Sequence, residues 1–456
     1  MSNILLIGGT GFIGQELGTH LAYEGHNLSL LTRDSSVSCQ LAYPATVHEW
    51  LPDYKIPAAA LENIDTIINL AGESIASGRW NDEKKRRIIK SRTDVIDGIH
   101  RALKETNLNP TLKIIQASAI GIYGDSKSEL VDETSKGTQC FLNESVEKWE
   151  NSAAVLKSQA KVVTLRFGIV LGTTGGALLE MLYPYVSKVG VPLGSGKQFM
   201  SWVHIEDVCR AISFALNDSF CEGTYNLVAD TPVTNARFDQ VMRPYFGASI
   251  LPNAPKIVLR LLLGEKADLL LMSQRVSNKK LLETGFTFKY KTIRECLKSL
   301  LDDSQRSSNI FHAKQYIDRP IEEIWDFFSA EENLERITPT FMNFHVVNKS
   351  TDNIEKGSII DYKLKVHGIP MKWKTEILEL DKGVKFVDFQ LSGPYKMWHH
   401  THTFHKLAQG TLIEDKVKFQ VPMGALGSLV ATKFILSDIH SIFDFRKKII
   451  SKEFGV

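Results

Sequence analysis

Along the first half of the chain, short and nearly unbroken apolar runs alternate with amphipathic stretches. The runs fall at residues 4–7, 28–32, 66–71, 113–117 and 162–167. A strand covered on both faces has no side left for polar residues, so this pattern predicts parallel strands joined by crossover helices, a doubly wound α/β sheet. The first crossover helix is expected over residues 12–24. From 246 to 301 the pattern changes to two prolines, Pro252 and Pro255, an apolar helix and a segment at 274–290, read as the substrate side of the same unit.

A polar, turn-forming stretch, DDSQRSSN at 302–309, then separates two patterns and is the expected linker. Beyond it a strand is expected at 311–317, and Ile321, Ile324, Trp325 and Phe328 share one helical face. Strand-like runs at 359–366, 372–380, 385–391, 400–407 and 411–421 follow, broken by Gly, Pro or Asp turns, and a helix at 429–452 closes the chain. The expectation is an antiparallel α+β domain over 310–456, attached to a first domain over 1–301, with no internal repeat.

Composition narrows the function classes. The 456 residues exceed one ordinary core, and 43% hydrophobic with 23% charged residues is the balance of a folded, water-exposed protein. A net charge of +2, with no basic patch interleaved with aromatics, argues against nucleic acid as a partner. The most apolar later run, 257–263, is interrupted by Arg260 and is too short to span a bilayer. No basic segment precedes a removable apolar stretch at the start, so a cytoplasmic location is expected. Cys39, Cys140, Cys209, Cys221 and Cys296 are widely spaced and are read as reduced thiols.

The first run leads into Gly8-x-x-Gly11-x-x-Gly14, overlapped by Gly9-x-Gly11-x-x-Gly14, and then into a helix pattern. Strand, glycine turn and helix in that order predict a Rossmann-type dinucleotide site, with backbone N–H groups at the helix start facing a pyrophosphate. Gly8, Thr10, Gly11, Phe12, Ile13 and Gly14 form this turn. The second run ends Leu31-Thr32-Arg33, where an acidic residue would select a ribose hydroxyl. Arg33 instead suits a 2′-phosphate, which favours NADP(H) over NAD(H), although Asp34 follows directly. Small residues around Asn69, Ala71 and Gly72 leave room for the cofactor over the sheet edge.

Several ordered motifs resemble the short-chain dehydrogenase/reductase superfamily, in its extended and atypical sugar-nucleotide epimerase-like branch. They are the Gly8–Gly14 turn, Asn69-Leu70-Ala71-Gly72-Glu73, Arg79-Trp80, Ser91-Arg92, Ala117-Ser118-Ala119-Ile120-Gly121-Ile122-Tyr123-Gly124, Leu165-Arg166-Phe167-Gly168 and Trp202-Val203-His204-Ile205-Glu206-Asp207. The resemblance implies that Glu73 and Arg92 belong to the cofactor side. It implies a small-molecule substrate, with Arg79, Trp80, Trp202 and His204 near it and Asn226 on a bordering strand. A homodimer is compatible with it. It also implies that Ser118 polarises a substrate oxygen, but the Tyr-x-x-x-Lys pair that the superfamily pairs with that serine is missing from residues 140–150. Tyr123 is the candidate substitute donor. Lys148, and the run Lys84-Lys85-Arg86-Arg87, are read as solvated charge.

The last third resembles the START-like helix-grip domains, also called SRPBCC or polyketide-cyclase-like. The resemblance rests on Ile317-Asp318-Arg319-Pro320-Ile321-Glu322-Glu323-Ile324-Trp325, on Gly393-Pro394-Tyr395-Lys396-Met397-Trp398-His399-His400-Thr401-His402 and on the long last helix. It implies a lipid-like or aromatic ligand. His400 and His402 share one strand face, with His399 and His405 on the other, but no carboxylate or cysteine spacing completes a site, so no metal is expected. Two functional readings stand at this point. One is an NADP(H)-dependent oxidoreductase or epimerase-like enzyme acting on a carbonyl, alcohol or nucleotide-sugar-like substrate. The alternative is an NADP(H)-binding sensor or scaffold with little or no turnover.

Overall fold

The computed structural model describes residues 1–105, 111–217, 222–301, 308–330, 332–351, 353–421 and 425–455. Most of the expected linker, 302–307, and Cys221 lie outside the described residues, as does the side chain of Cys39. Cys140, Cys209 and Cys296 are free thiols, the last two buried.

Seven parallel strands build the first sheet: β1 (Asn3–Ile7), β2 (Asn27–Thr32), β3 (Thr46–Glu49), β4 (Thr66–Asn69), β5 (Lys113–Ala119), β6 (Lys161–Phe167) and β7 (Gly223–Leu227). Their spatial order is β7-β6-β5-β4-β1-β2-β3, so the chain reverses direction of growth between β1 and β4, the crevice where doubly wound sheets bind ligands. Both faces are covered because consecutive apolar residues of these strands point to opposite sides of the sheet. On one side Ile4, Leu6, Leu30, Ile68 and Val163 meet Leu17 and Leu21 of α1 (Phe12–Tyr23). On the other, Leu5, Ile7, Leu31, Ile67 and Ile114 meet Val95 and Ile99 of α2 (Asp82–Glu105) and Trp149 of α3 (Phe141–Ala153).

Past this sheet, α4 (Ile205–Ala215) adds Val208 and Ile212 to the first of these clusters, and α5 (Ile293–Leu300) brings Leu297 to a third apolar cluster with Trp202 and Met200. The expected apolar helix is Lys256–Leu263, and it leaves Ile257, Leu261 and Leu262 exposed.

The second sheet is antiparallel and follows the chain in order, except that its first strand closes against its last. β8 (Asn309–Ile317), β9 (His345–Lys349), β10 (Ile359–Val366), β11 (Ile369–Asp381), β12 (Lys385–Ser392), β13 (Met397–Leu407) and β14 (Gly410–Gln420) are arranged β8-β14-β13-β12-β11-β10-β9. The helix α6 (Ile321–Ser329) and the 30-residue α7 (Ala425–Phe454) cover this sheet. Ile450 of α7 packs with Ile324, Trp325, Phe404 and Ile413. This is a helix-grip arrangement.

The two sheets are joined by more than the chain. The Tyr316 N–H donates to the Leu41 carbonyl at 2.7 Å, and Ala42, Tyr316, Leu407 and Leu412 form a shared apolar cluster. Beside them Lys314 pairs with Glu16 of α1 at 2.8 Å and faces Glu414 at 3.8 Å, while His312 bridges Thr173 and Glu414. Burial pushes the Glu414 carboxyl up, but hydrogen bonds from His312 and His405 outweigh it and hold the group well below the usual carboxylate range. Replacing Lys314 by Met leaves Glu16 and Glu414 without their shared cation. The expected cost is about 3 kcal/mol, the lower end for a broken buried pair, seen as a lower urea midpoint of the full chain. Lys314→Met with Glu16→Gln is expected to recover part of it, and an unchanged midpoint in the single variant would show that the pair does not hold the sheets together.

Candidate functional site

At the end of β1 the backbone turns through Gly8 with φ +84°, a conformation that L side chains rarely adopt. A Cβ there would come within 2.8 Å of the Ala71 nitrogen at the end of β4. At Gly14 a Cβ would run into the Gly8 carbonyl oxygen and Gly9 Cα, so α1 seats directly on the turn. Gly11 caps α1 with no side-chain hydrogen bond and no acidic residue in the first turn. The helix start therefore presents bare N–H groups and an uncompensated positive dipole end, which suits a diphosphate. Thr10 and Gly11 are exposed, while Phe12 packs against the loop at Gly172, Gly175 and Gly176 and Ile13 against the core.

Thr32 and Arg33 follow at the end of β2. The Asp34 carboxylate, which clouded the sequence reading, accepts the Ser36 N–H at 2.9 Å and caps a short turn of helix. Arg33 is exposed and lines an open groove with Glu49, Trp50 and Arg87. Across the switch point, the Asn69 side chain is held by Gln116 and accepts the Ala71 N–H. Beyond Gly72, the Glu73 carboxylate receives Lys84 at 2.6 Å, and the Glu73 carbonyl receives Arg92, whose guanidinium lies over Trp149. Lys84 is thus buried and paired rather than solvated, because α2 turns it inward while Arg86 stays out.

Ser118 ends β5 and is 2% exposed. Its hydroxyl donates to Glu150 Oε1 at 2.5 Å. Arg166 donates to both oxygens of Glu150, from Nε and Nη2 at 2.8 Å each, and from Nη1 to the Tyr123 hydroxyl at 2.9 Å. Tyr123 donates onward to Asn226 Oδ1 at 2.7 Å, and Glu133 receives the Asn226 N–H. With Tyr123 only 1% exposed, burial pushes its phenol up to about 12. Its hydroxyl has a donor and an acceptor already, and through Arg166 it is tied to the Ser118–Glu150 pair.

The expected substrate residues separate. Arg79 is exposed, and Trp80 donates from Nε1 to the Ile75 carbonyl with its ring edge-on to Phe141. Trp202 and His204 lie in the interior. Trp202 is 1% exposed and donates to the Thr231 carbonyl inside the third apolar cluster. His204 is 5% exposed and caps α4: its Nδ1 accepts the Glu206 N–H, its Nε2 meets Ser299 Oγ at 3.0 Å, and its ring stacks on Tyr290.

Residues 4–227 match the NAD dependent epimerase/dehydratase family. The epimerase family protein YfhF of Bacillus subtilis is 33% identical over 308 residues, covering 66% of this chain and 98% of its own length. The chain belongs to the epimerase family. Mouse epimerase family protein SDR39U1 is 32% identical over 302 residues, 65% of this chain and 99% of its own. The crystal structure of human SDR39U1 isoform 2 with NADPH is 30% identical and superposes with a TM-score of 0.58, over 66% of this chain and 99% of that one. Residues 254–300 match a domain of unknown function, and 317–440 match the polyketide cyclase/dehydrase and lipid transport family.

Within this epimerase-family chain, Glu150 and its role escaped the sequence reading. Its signal was present: Leu142, Val146 and Glu150 recur every four residues on the inner face of α3, and an acid there needs a buried partner. Arg166 sat in a quoted motif, but its partners come from β5, α3 and the loop at 120–123, which spacing does not reveal.

The His204 cap carries a pH signature. Its Nδ1 lone pair is used by Glu206, so protonation would cost that bond, and burial pushes the imidazole from 6.5 down to about 4. The unfolded chain takes the proton near 6.5 and the folded one only near 4, so this contribution is intact above 6.5 and lost as the pH falls toward 4. It amounts to about 3 kcal/mol. Asn retains capping ability, so His204→Asn is expected to give a shallower fall of Tm between pH 7 and pH 4. Parallel Tm curves would remove His204 as the source.

Proposed function

We propose that the first domain, residues 1–301, is an NADP(H)-dependent epimerase-like oxidoreductase acting on a carbonyl or alcohol of a nucleotide-sugar-like substrate. The observation that carries this reading is the glycine cradle under an uncapped α1 with Arg33 exposed at the end of β2 and Asp34 turned aside. Binding of NADPH by human SDR39U1 supports the cofactor assignment. Gly8, Thr10, Gly11, Phe12, Ile13 and Gly14 hold the diphosphate, and Thr32 and Arg33 the adenosine 2′-phosphate. Asn69, Ala71, Gly72, Glu73 and Arg92 shape the edge over which the rest lies.

When bound, the nicotinamide accepts or donates a hydride. Ser118 holds the reacting oxygen of the substrate. Because Ser118 gives its own proton to Glu150, it accepts from a substrate hydroxyl, and the proton's route leads from that hydroxyl through Ser118 toward Glu150. The two-point bond from Arg166 keeps Glu150 in place beneath Ser118. Arg79 and Trp80 are assigned to the substrate side. For residues 310–456 the match to the polyketide cyclase and lipid transport family supports a lipid-like or aromatic ligand.

Two measurements test this. Arg33→Ala is expected to weaken NADPH binding about ten- to a hundredfold in a fluorescence titration and to leave NADH unchanged. Equal affinity of both proteins for NADPH would overturn the 2′-phosphate role. With a substrate found by screening nucleotide sugars for a change in reduced-nicotinamide absorbance, Ser118→Ala is expected to lower kcat about 10²-fold or more at unaltered NADPH affinity. Absence of turnover across the panel with NADPH bound would reject the enzyme assignment.

A further inference from the structure

The second sheet brings together four side chains that lie far apart in sequence. Asp388 of β12 is opposite His400 of β13, and His402 of β13 is opposite Asp415 of β14. These side chains share the covered face, and Arg446 reaches them from α7. The sequence offered the histidines without carboxylates. The register supplies the carboxylates.

Each imidazole has one nitrogen toward each acid. His400 Nε2 lies 3.0 Å and His402 Nδ1 2.8 Å from the same oxygen of Asp415, which also faces Arg446 at 3.5 Å. The opposite nitrogens, His400 Nδ1 and His402 Nε2, lie 3.4 and 3.0 Å from Asp388 Oδ2. A neutral imidazole has one N–H and one lone pair. With both N–H groups toward Asp415, two nitrogen lone pairs and Asp388 Oδ2 converge as one donor set suited to a cation; with the His402 Nε2–H toward Asp388 instead, its Nδ1 faces Arg446 Nη2 at 3.4 Å. If instead both rings were imidazolium, two cations with centroids 3.7 Å apart would adjoin a third, Arg446, against two carboxylates. The neutral arrangement avoids that crowding.

We infer that Asp388, His400 and His402 form a site for one divalent transition-metal ion, of which zinc is the simplest, with Asp415 orienting both histidines from behind. Ligand atoms about 2.0 to 2.2 Å from such an ion stand roughly 3.0 to 3.5 Å apart, in keeping with both separations from Asp388 Oδ2. The three candidate ligand atoms all lie within 4.8 Å of one another. The surroundings suit a fixed ligand set: Phe386 stacks on His402 at 4.0 Å, and Phe443 lies edge-on to His400. Asp415, accepting an N–H from each histidine, has the role that carboxylates commonly play behind metal-bound imidazoles. Three protein ligands leave one position for water or for an oxygen donor of a molecule bound by this domain, such as a carboxylate or enol.

The experiment uses the untagged full-length chain, stripped with chelator and titrated with Co²⁺ as a visible probe. One Co²⁺ per chain with intense d–d absorption, displaced by Zn²⁺, is expected. Asp388→Asn and His402→Gln are expected to abolish the absorption, and Asp415→Asn to weaken binding about ten- to a hundredfold. Far-ultraviolet circular dichroism and NADPH affinity show whether each variant remains folded. A folded wild-type chain that binds no Co²⁺ or Zn²⁺ at micromolar concentration would overturn the site. So would stoichiometric binding that persists in folded Asp388→Asn and His402→Gln.

Discussion

The approach of backbone to backbone at Gly8 and Gly14 sets the position of helix α1, and most of the first domain's geometry follows from it. A side chain at Gly8 would strike the end of β4, and one at Gly14 would strike the turn itself, so α1 lies closer to the sheet than ordinary packing permits. Its first N–H groups then face the point where the strand order reverses. Farther along, Leu17 and Leu21 fill the space above Ile4, Leu6 and Leu30. A bulky residue in the turn would therefore disturb ligand geometry and core packing together.

Ser118, Glu150, Arg166, Tyr123 and Asn226 form a second unit, joined by hydrogen bonds around one carboxylate. A buried carboxylate is costly unless it is fully partnered, and Arg166 meets Glu150 at both oxygens. That pairing makes the cluster tolerable inside the protein and fixes the carboxylate that receives the Ser118 hydroxyl. Where a tyrosine and lysine would be poised at the surface of the crevice, this chain has a rigid interior support that presents one serine.

Patterns carried by single elements were legible in the sequence. The doubly buried strands, the glycine turn and the antiparallel run after the linker all declare themselves through periodicity or local turn chemistry. What was not legible depends on register or on which way a residue faces. β3 and the mostly exposed edge strand β9 are too short or too polar to stand out. Trp202 and His204 occur beside one another in a motif that spacing could not divide into pocket and core, yet one fills an apolar cluster and the other caps a helix. Lys84 looked like part of a solvated run until the loop carrying Glu73 folded over it. Asp388 and Asp415 gave no sign of His400 and His402, because cross-strand partners share no sequence spacing.

Glu16 lies on the same helix whose start forms the glycine turn, and its partner Lys314 belongs to the antiparallel sheet. The two sheets are thereby coupled electrostatically: a residue near the dinucleotide turn pairs with a lysine about three hundred positions away. Any change that removes or repositions the antiparallel sheet therefore also alters the charge surroundings of the helix that begins at the glycine turn.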